Sequence, residues 1–90
     1  MTKAGLINEL AISTGYDKRT ISLIVEGFMD TIKKQLAEED DVFLRGFGSF
    51  ITKQRAAKTA RDINKHVTVD VPAHRVIRFK PSKDFQRMVR

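Results

Sequence analysis

The sequence predicts an α+β fold: an N-terminal helical hairpin, a three-stranded antiparallel sheet extended into a β-ribbon arm, and a short C-terminal helix. Three observations lead to this prediction. Apolar residues recur at helical spacing through about residue 37. The segments 43–51 and 67–79 are apolar and rich in strand-forming residues. Between them, residues 53–66 contain five cations and only one large apolar side chain, Ile63, so this stretch cannot form a core.

Two helices are predicted in the first 37 residues. Thr2 is a candidate N-cap for a helix from residue 3 to residue 14, which Gly15 ends. Asp17 can cap a second helix of about residues 18–37. Seven of its apolar side chains fall within an arc of about 140°: Ile21, Ile24, Val25, Phe28, Met29, Ile32 and Leu36. One short neighbouring helix cannot cover so wide a face, so we expect a second subunit to cover the rest, with Phe28, Ile32 and Leu36 in the dimer core.

The predicted sheet begins after the acidic run at 38–41, which we expect to be a solvated connection that marks the end of the second helix. Residues 42–44 predict a short strand and residues 45–48 a turn. Gly46 and Gly48 in this turn permit positive φ. Residues 49–57 predict a second strand.

Beyond the basic stretch, the alternation of valine with Thr68 and Asp70 predicts a returning strand over residues 67–71. Pro72 interrupts this strand, and residues 75–80 resume it. We expect Val76, Ile77 and Phe79 to reach the core while Arg78 and Lys80 face water. Pro81 and Ser82 then open a final helix.

The positive charge is concentrated in the second half of the chain. Among the 90 residues the net charge is +6, but residues 1–44 carry five Lys/Arg and eight Asp/Glu, whereas residues 45–90 carry twelve and three. A polyanion is therefore the expected partner of the second half. There is no cysteine, no apolar run long enough for a membrane span, and no apolar signal region near Met1. We expect a cytoplasmic protein.

No catalytic or metal-binding motif is present in the sequence. The fragment Gly46-Phe47-Gly48 lacks the third glycine of a dinucleotide-binding motif and does not open a helix. His66 and His74 lie eight residues apart with no cysteine to complete a zinc site. We therefore predict that the protein is not an enzyme and that it uses no cofactor and no metal.

The basic stretch favours duplex DNA among the polyanions. Two paired strands about 4.8 Å apart fit a minor groove roughly 6 Å wide, where proteins use Arg and Lys and insert apolar wedges between base steps. Ile63 is the available wedge. No aromatic residue lies between Phe50 and Phe79, so the stacking platform typical of single-strand and RNA binders is missing from this region.

Two other functions compete with this interpretation. The first two helices, joined around Gly15, could form a helix-turn-helix regulator that uses Lys18 and Arg19, although the second helix carries Glu26 and Asp30 and the cations lie elsewhere. Alternatively, the basic stretch could dock RNA or an acidic protein in a scaffold. Substitution of the two sets of cations and competition between nucleic acids separate these possibilities.

The sequence resembles the bacterial histone-like DNA-binding proteins, the HU and integration host factor family. The resemblance covers the whole chain and rests on RGFGSF at 45–50, RAAKT at 55–59, PA at 72–73 and FKP at 79–81. It implies an intertwined dimer whose helices form the base and whose two arms embrace DNA. It also implies that Phe47, Phe50 and Phe79 lie in the dimer core, and that DNA is contacted by Lys3, Lys53, Arg55, Lys58, Arg61, Lys80 and Lys83.

The tip of the arm departs from the family pattern, which has Arg-Asn-Pro followed by a glycine-containing turn. Here Ile63 replaces the intercalating proline, Asp62 adds a negative charge, and Asn64 is the residue that tolerates a left-handed turn. Arg78 adds a cation where the family often has a small residue. The further predicted DNA contacts are therefore Ile63, Asn64, Lys65, Arg75 and Arg78.

The combined prediction is a single histone-like domain over residues 1–90. Residues 1–44 form its helical dimerisation part, residues 45–81 its sheet with an arm at about 53–73, and residues 82–90 its last helix. We predict an architectural homodimer that binds duplex DNA through arms in the minor groove and bends or compacts it. Low sequence specificity follows because phosphate contacts carry no base information. A sequence-preferring protein like integration host factor, and a heterodimer with a paralogue, remain open alternatives.

Overall fold

The computed structural model describes the backbone of residues 1–62 and 67–90 and the side chains of residues 1–57 and 72–90. Within these ranges the elements in chain order are α1 (Lys3–Thr14), α2 (Lys18–Ala37), β1 (Val42–Leu44), β2 (Gly48–Arg55), β3 (Lys58–Asp62), β4 (Val67–Val71), β5 (His74–Pro81) and α3 (Lys83–Val89). This order confirms the predicted α+β fold class. The chain divides into two compact units, Met1–Lys34 and Gln35–Arg90, and the division into a single domain stays a prediction.

Both N-terminal helices have the ends that their sequences predict. The hydroxyl oxygen of Thr2 accepts a hydrogen bond from a first-turn N–H of α1 at 3.3 Å. Gly15 ends α1 in the left-handed region, with φ of 81°. Asp17 precedes α2, and its carboxyl pKa is held below the ordinary value because the side chain and the backbone N–H of Thr20 donate hydrogen bonds to it. A carboxylate is also the favourable charge at a helix N-terminus.

The C-terminus of α2 is closed by two nested hydrogen bonds. The N–H of Asp40 donates to the carbonyl of Gln35 at 2.9 Å, and the N–H of Glu39 donates to the carbonyl of Leu36 at 3.1 Å. This Schellman pattern requires a left-handed residue after the helix. Glu39 takes that place with φ of 63°. The acidic run therefore begins where the helix ends, as predicted.

Glu39→Gly is expected to stabilise the protein against unfolding by about 0.5 to 1 kcal/mol. A left-handed conformation costs a residue with a Cβ roughly 1–2 kcal/mol, and glycine removes that cost but adds some backbone entropy to the unfolded chain. Urea unfolding at fixed protein concentration measures the effect. Asp40→Gly is the matched control and is not expected to stabilise, because Asp40 has negative φ. A destabilised Glu39→Gly variant would contradict this prediction. It would show that the contacts of the Glu39 side chain stabilise the fold by more than its left-handed conformation costs.

The strands form one three-stranded sheet and one ribbon. The sheet has the order β1-β2-β5, and the ribbon consists of β3 and β4; every pair is antiparallel. The predicted sheet with its ribbon extension is thereby confirmed. The predicted second strand was too long, since β2 ends at Arg55 and not at Ala57. Residues 56–57 separate β2 from β3, and residues 72–73 separate β4 from β5.

The two glycines of the β1–β2 turn serve different purposes. Gly46 has φ of 83°, as predicted, but Gly48 has no positive φ. At Gly48 an added Cβ would lie 2.6 Å from the carbonyl oxygen of Lys80 and 2.6 Å from the ring of Phe79. Gly48 is therefore required by the close approach of β5 and does not adopt the positive φ that a glycine permits there.

One residue of the acidic run, Asp41, is hydrogen-bonded to the sheet. The expectation of a solvated connection fits the exposed residues 38–40, but Asp41 is half-buried. Its carboxylate accepts the backbone N–H of Thr52 at 3.0 Å. Asp41 thus continues the pairing of the chain with β2 beyond the first residue of β1, Val42, which faces Phe50.

One side of the sheet carries an aromatic cluster. We call this side the inner face, and its residues on β2 and β5 are Gly48, Phe50, Thr52, Gln54, Arg75, Ile77, Phe79 and Pro81. The ring of Phe79 lies 4.9 Å from that of Phe50, 5.1 Å from that of Phe47 and 6.4 Å from that of Phe85, measured between centroids. Such separations are typical of favourable aromatic pairs.

Much of this apolar surface is open in the single chain. Phe47 is 46% exposed and Phe79 is 37% exposed, while Ile77, which we expected to reach the core, is 66% exposed. On α2, Ile21 and Leu36 are buried, Ile32 is half-buried and Phe28 is exposed. In the part of the chain that the structure describes, no helix combines the length and apolar character needed to cross a membrane.

Candidate nucleic-acid interface

The opposite side of the sheet, the outer face, carries the cations. Alternate residues of a strand share one side, and directly opposed residues of an antiparallel pair share the same side. The register of β2 with β5 therefore places eight residues on the outer face: Ser49, Ile51, Lys53, Arg55, His74, Val76, Arg78 and Lys80. Val76 lies here opposite Lys53, so the expectation that it reaches the core was wrong. The edge strand β1 adds Phe43, opposite Ser49.

Four of the predicted DNA contacts are brought together on this outer face. Lys53, Arg55, Arg78 and Lys80 are all exposed. Their positions alternate with the half-buried Ile51 and Val76 across a pair of strands about 4.8 Å apart. Along each strand, residues two apart are separated by about 7 Å. The result is a compact array of cations on a rigid hydrogen-bonded support.

Among the described side chains, residues 1–57 and 72–90, no acid forms an ion pair with the outer-face cations. The ion pairs found among the described side chains join Lys3 to Glu26, Lys33 to Asp30, Arg75 to Glu39 and Arg87 to Asp84. None of these pairs uses Lys53, Arg55, Arg78 or Lys80. An array of like charges without counter-charges attracts a polyanion.

Lys83 and a residue that the sequence analysis omitted extend the basic surface. Lys83 is the first residue of α3. It borders a groove of about 530 Å³ together with Lys80 and Arg45, which is exposed in the β1–β2 turn. Arg45 was not among the predicted contacts. The sequence signal that points to it is a cation in a turn that opens the basic half of the chain.

The arm is described through its backbone. In the β3–β4 ribbon, Lys58 pairs with Val71 and Arg61 pairs with Thr68. Strand β3 follows β2 after the break at residues 56–57, and strand β4 precedes β5 with a break at residues 72–73. Three predicted DNA contacts, Ile63, Asn64 and Lys65, lie outside the described residues, as does His66.

Two predicted contacts are engaged within the protein. Lys3, at the start of α1, forms an ion pair with Glu26 of α2. Arg75 belongs to the inner face, opposite Gln54, and its guanidinium contacts the C-terminus of α2. Charge alone could not separate these two residues from the outer-face cations, because the partner of Lys3 lies 23 residues away and those of Arg75 lie 36 to 39 residues away in the sequence.

Comparison with known proteins identifies the family of the chain. A family model described as bacterial DNA-binding protein matches residues 1–90. The chain belongs to the bacterial DNA-binding protein family. This membership confirms the predicted resemblance to HU and integration host factor proteins. The family is one of DNA-binding architectural proteins and not of enzymes, so the prediction that the protein is not an enzyme is also confirmed.

Individual members of the bacterial DNA-binding protein family show the same extent of similarity. DNA-binding protein HU of Campylobacter jejuni is 37% identical over 89 residues, covering 99% of this chain and 91% of the relative. Integration host factor subunit alpha of Actinobacillus pleuropneumoniae is 36% identical with the same coverage. A cocrystal structure of Anabaena HU with DNA superimposes with a TM-score of 0.91 at 29% identity, covering 99% of this chain and 97% of that chain.

Proposed function

We propose that this member of the family binds duplex DNA with little sequence preference through its outer face and its β3–β4 arm, and that it bends or compacts the DNA. The observation that carries the proposal is the array of Lys53, Arg55, Arg78 and Lys80, which no acid neutralises among the described residues and from which the chain continues into the ribbon. The fold similarity to Anabaena HU in its cocrystal with DNA supports it.

Low specificity follows from the chemistry of the surface. Lys and Arg side chains on a strand pair contact phosphates, which are the same for every base pair. The minor groove, where the arm is proposed to lie, offers only a degenerate pattern of donors and acceptors. The comparable similarity to an integration host factor subunit keeps a sequence-preferring protein as the second candidate. Competition between random and selected duplexes at equal salt separates the two.

A homodimer is the proposed functional unit. A chain of about this size buries only about 60–65% of its unfolded surface, and here Phe47, Phe79 and Phe28 are left exposed in the single chain. Phe47 and Phe79 belong to the aromatic cluster of the inner face and Phe28 lies on α2, and exposed apolar surface of this kind marks sites of association. We propose that these residues, with Ile32, Leu36 and Phe50, form the dimer core of one histone-like domain. DNA binding of this kind places the protein at the nucleoid, in the cytoplasm.

The salt dependence of binding tests the electrostatic part of the proposal. Log affinity should fall linearly with log salt, with a slope of about −0.9 per phosphate neutralised. Six to ten contacts would lower the affinity roughly 10³- to 10⁵-fold between 50 and 200 mM salt. Fluorescence anisotropy with a labelled duplex measures this slope. An affinity that does not change with salt would contradict the proposal.

Two comparisons in the same assay test the competing functions. Replacing Lys18 and Arg19 by Gln should change the affinity little, whereas a helix-turn-helix protein would lose binding. Single-stranded DNA and RNA should compete less well than duplex DNA, whereas an RNA-docking scaffold would give the reverse order. An acidic protein that displaced the duplex would favour the scaffold.

Ile63→Ala should reduce the bend angle of bound DNA while leaving most of the affinity intact. A wedge contributes by unstacking a base step, whereas the affinity comes mainly from phosphate contacts. Fluorescence transfer between dyes at the two ends of a duplex measures the angle, and Ile63→Pro should sharpen the kink if the tip has the geometry of the family. If Ile63→Ala left the bend angle unchanged, the proposed wedge role of Ile63 would be wrong. The proposed electrostatic role of the arm would be unaffected.

A further inference from the structure

The residues that follow the C-terminus of α2 carry negative charge, which is unfavourable for the helix dipole. The last carbonyls of a helix carry partial negative charge, so cations stabilise this end and acids destabilise it. Here the helix is followed by four consecutive acids at 38–41. The closing turn also holds Glu39 in a left-handed conformation. Lys34 is the basic residue of the last turn, but the four acids outnumber it, so a further cation is favourable at this end of the helix.

Arg75 supplies that cation. Its Nη2 donates to the carbonyl of Leu36 at 2.6 Å and its Nη1 donates to the carbonyl of Ala37 at 3.4 Å. The Nη1 atom also lies 3.4 Å from a carboxylate oxygen of Glu39. The guanidinium thus contacts two terminal carbonyls and one acid of the run, and the Arg75 side chain is only 32% exposed. Charge-assisted hydrogen bonds of this kind are stronger than neutral ones.

The position of Arg75 links this helix end to the root of the arm. Arg75 is the second residue of β5, immediately after the break at residues 72–73 that separates β5 from the β4 strand of the arm. On the other strand, its partner Gln54 lies just before the matching break at residues 56–57. Arg75 and Gln54 are therefore the last inner-face pair before the arm begins.

The direction of Arg75 differs from that of the cations proposed to bind DNA. It shares the inner face with Ile77 and Phe79, whereas Arg78 and Lys53 are on the outer face. Its guanidinium is held by α2, and the outer-face cations take part in no ion pair among the described residues. The positive charge that made Arg75 a predicted DNA contact is thus already paired with groups of the protein itself.

We propose that Arg75 is a positioning residue that fixes the root of the arm to the C-terminus of α2 and does not neutralise a phosphate. This inference rests on the proposed DNA-binding function. The guanidinium sets the direction in which the arm leaves the sheet, so its removal misdirects the arm on bound DNA. Because the number of phosphate contacts stays the same, the loss of affinity is independent of salt.

Arg75→Gln, Arg75→Lys and the matched control Arg78→Gln test this proposal. Arg75→Gln should weaken binding about tenfold, because the arm must then be oriented during binding without the charge-assisted hydrogen bonds to α2, whose loss is worth about one decade in an equilibrium constant. Its salt slope should equal that of the unmodified protein. Arg75→Lys keeps the charge but not the forked geometry, so it should also weaken binding with an unchanged slope. Arg78→Gln should make the slope shallower by about 0.9 per chain.

The bend angle of DNA saturated with protein distinguishes positioning from a general loss of stability. At saturation every variant is folded and bound, so a purely structural residue leaves the angle unchanged. We expect Arg75→Gln and Arg75→Lys to change the mean angle or broaden its distribution in a fluorescence-transfer assay, while Lys18→Gln, at an exposed position of α2 outside the proposed interface, does not. Circular dichroism shows whether each variant is folded. If Arg75→Gln is unfolded, the bend angle of the milder variant Arg75→Lys tests the proposal.

Each remaining result has a definite meaning. A shallower slope for Arg75→Gln together with full affinity for Arg75→Lys would make Arg75 a phosphate contact and overturn the proposal. Unchanged affinity, or an unchanged bend angle at saturation, would overturn it as well. Failure of the proposed function is separate, because it would show in the unmodified protein as weak or salt-independent binding to the duplex.

Discussion

Replacing Lys53, Arg55 and Arg78 together by Gln is expected to lower the affinity for duplex DNA roughly 100-fold or more at 0.1 M salt. Each lost phosphate contact removes about 0.9 from the slope of log affinity against log salt, so three contacts in one chain remove about 2.7. A homodimer loses twice that amount. All three side chains are exposed on the outer face, so we expect their removal to leave the fold intact.

A control with equal loss of charge makes this result specific to the outer face. Lys18, Lys33 and Lys34 are exposed on α2, and their replacement by Gln lowers the net charge by the same amount. If only the total charge mattered, the two triple variants would bind DNA equally weakly. We expect the α2 variant to keep a steep salt slope, and a similar loss in both variants would show that the interface has been placed wrongly.

The elements of the fold were predictable because their signals are local. Thr2 and Gly15 fix the ends of α1 through hydrogen bonds and backbone conformations within a few residues. The helical periodicity of α2 and the charge change after Leu44 are likewise visible in short windows of the sequence. These signals were enough to predict the order of helices and strands and to place the cations in the second half.

The errors arise where the structure depends on pairing between distant segments. The register of β2 with β5 decides that Val76 lies on the outer face and that Gly48 must lack a Cβ, and neither fact is encoded near those residues. Arg75 is the clearest case, since its partners Leu36 and Ala37 are 39 and 38 residues away. A basic residue in a basic segment predicts a nucleic-acid contact from sequence, and only the packing of β5 against the end of α2 indicates another role.

Phe79→Ala is expected to destabilise the folded protein by about 3–5 kcal/mol, as is usual for truncating a large aromatic side chain in a core. Phe79 contacts the rings of Phe47 and Phe50 at centroid distances of 5.1 and 4.9 Å, and the single chain leaves it 37% exposed. If the partner subunit covers the exposed part, the variant loses dimer contacts as well. Sedimentation at micromolar concentration should then show monomer or unfolded chain for the variant and dimer for the unmodified protein.

Phe43→Ala is the matched control for this prediction. Phe43 is also a phenylalanine of the sheet, but it lies on the outer face and is 73% exposed, and none of the aromatic pairs among the described residues includes it. Its truncation should change the free energy of unfolding by less than about 0.5 kcal/mol and leave the dimer intact.

The unfolding midpoint of the unmodified protein should rise with protein concentration, because association stabilises only the folded state. A folded monomer whose midpoint is independent of concentration would instead mean that the aromatic cluster is stable without a second subunit.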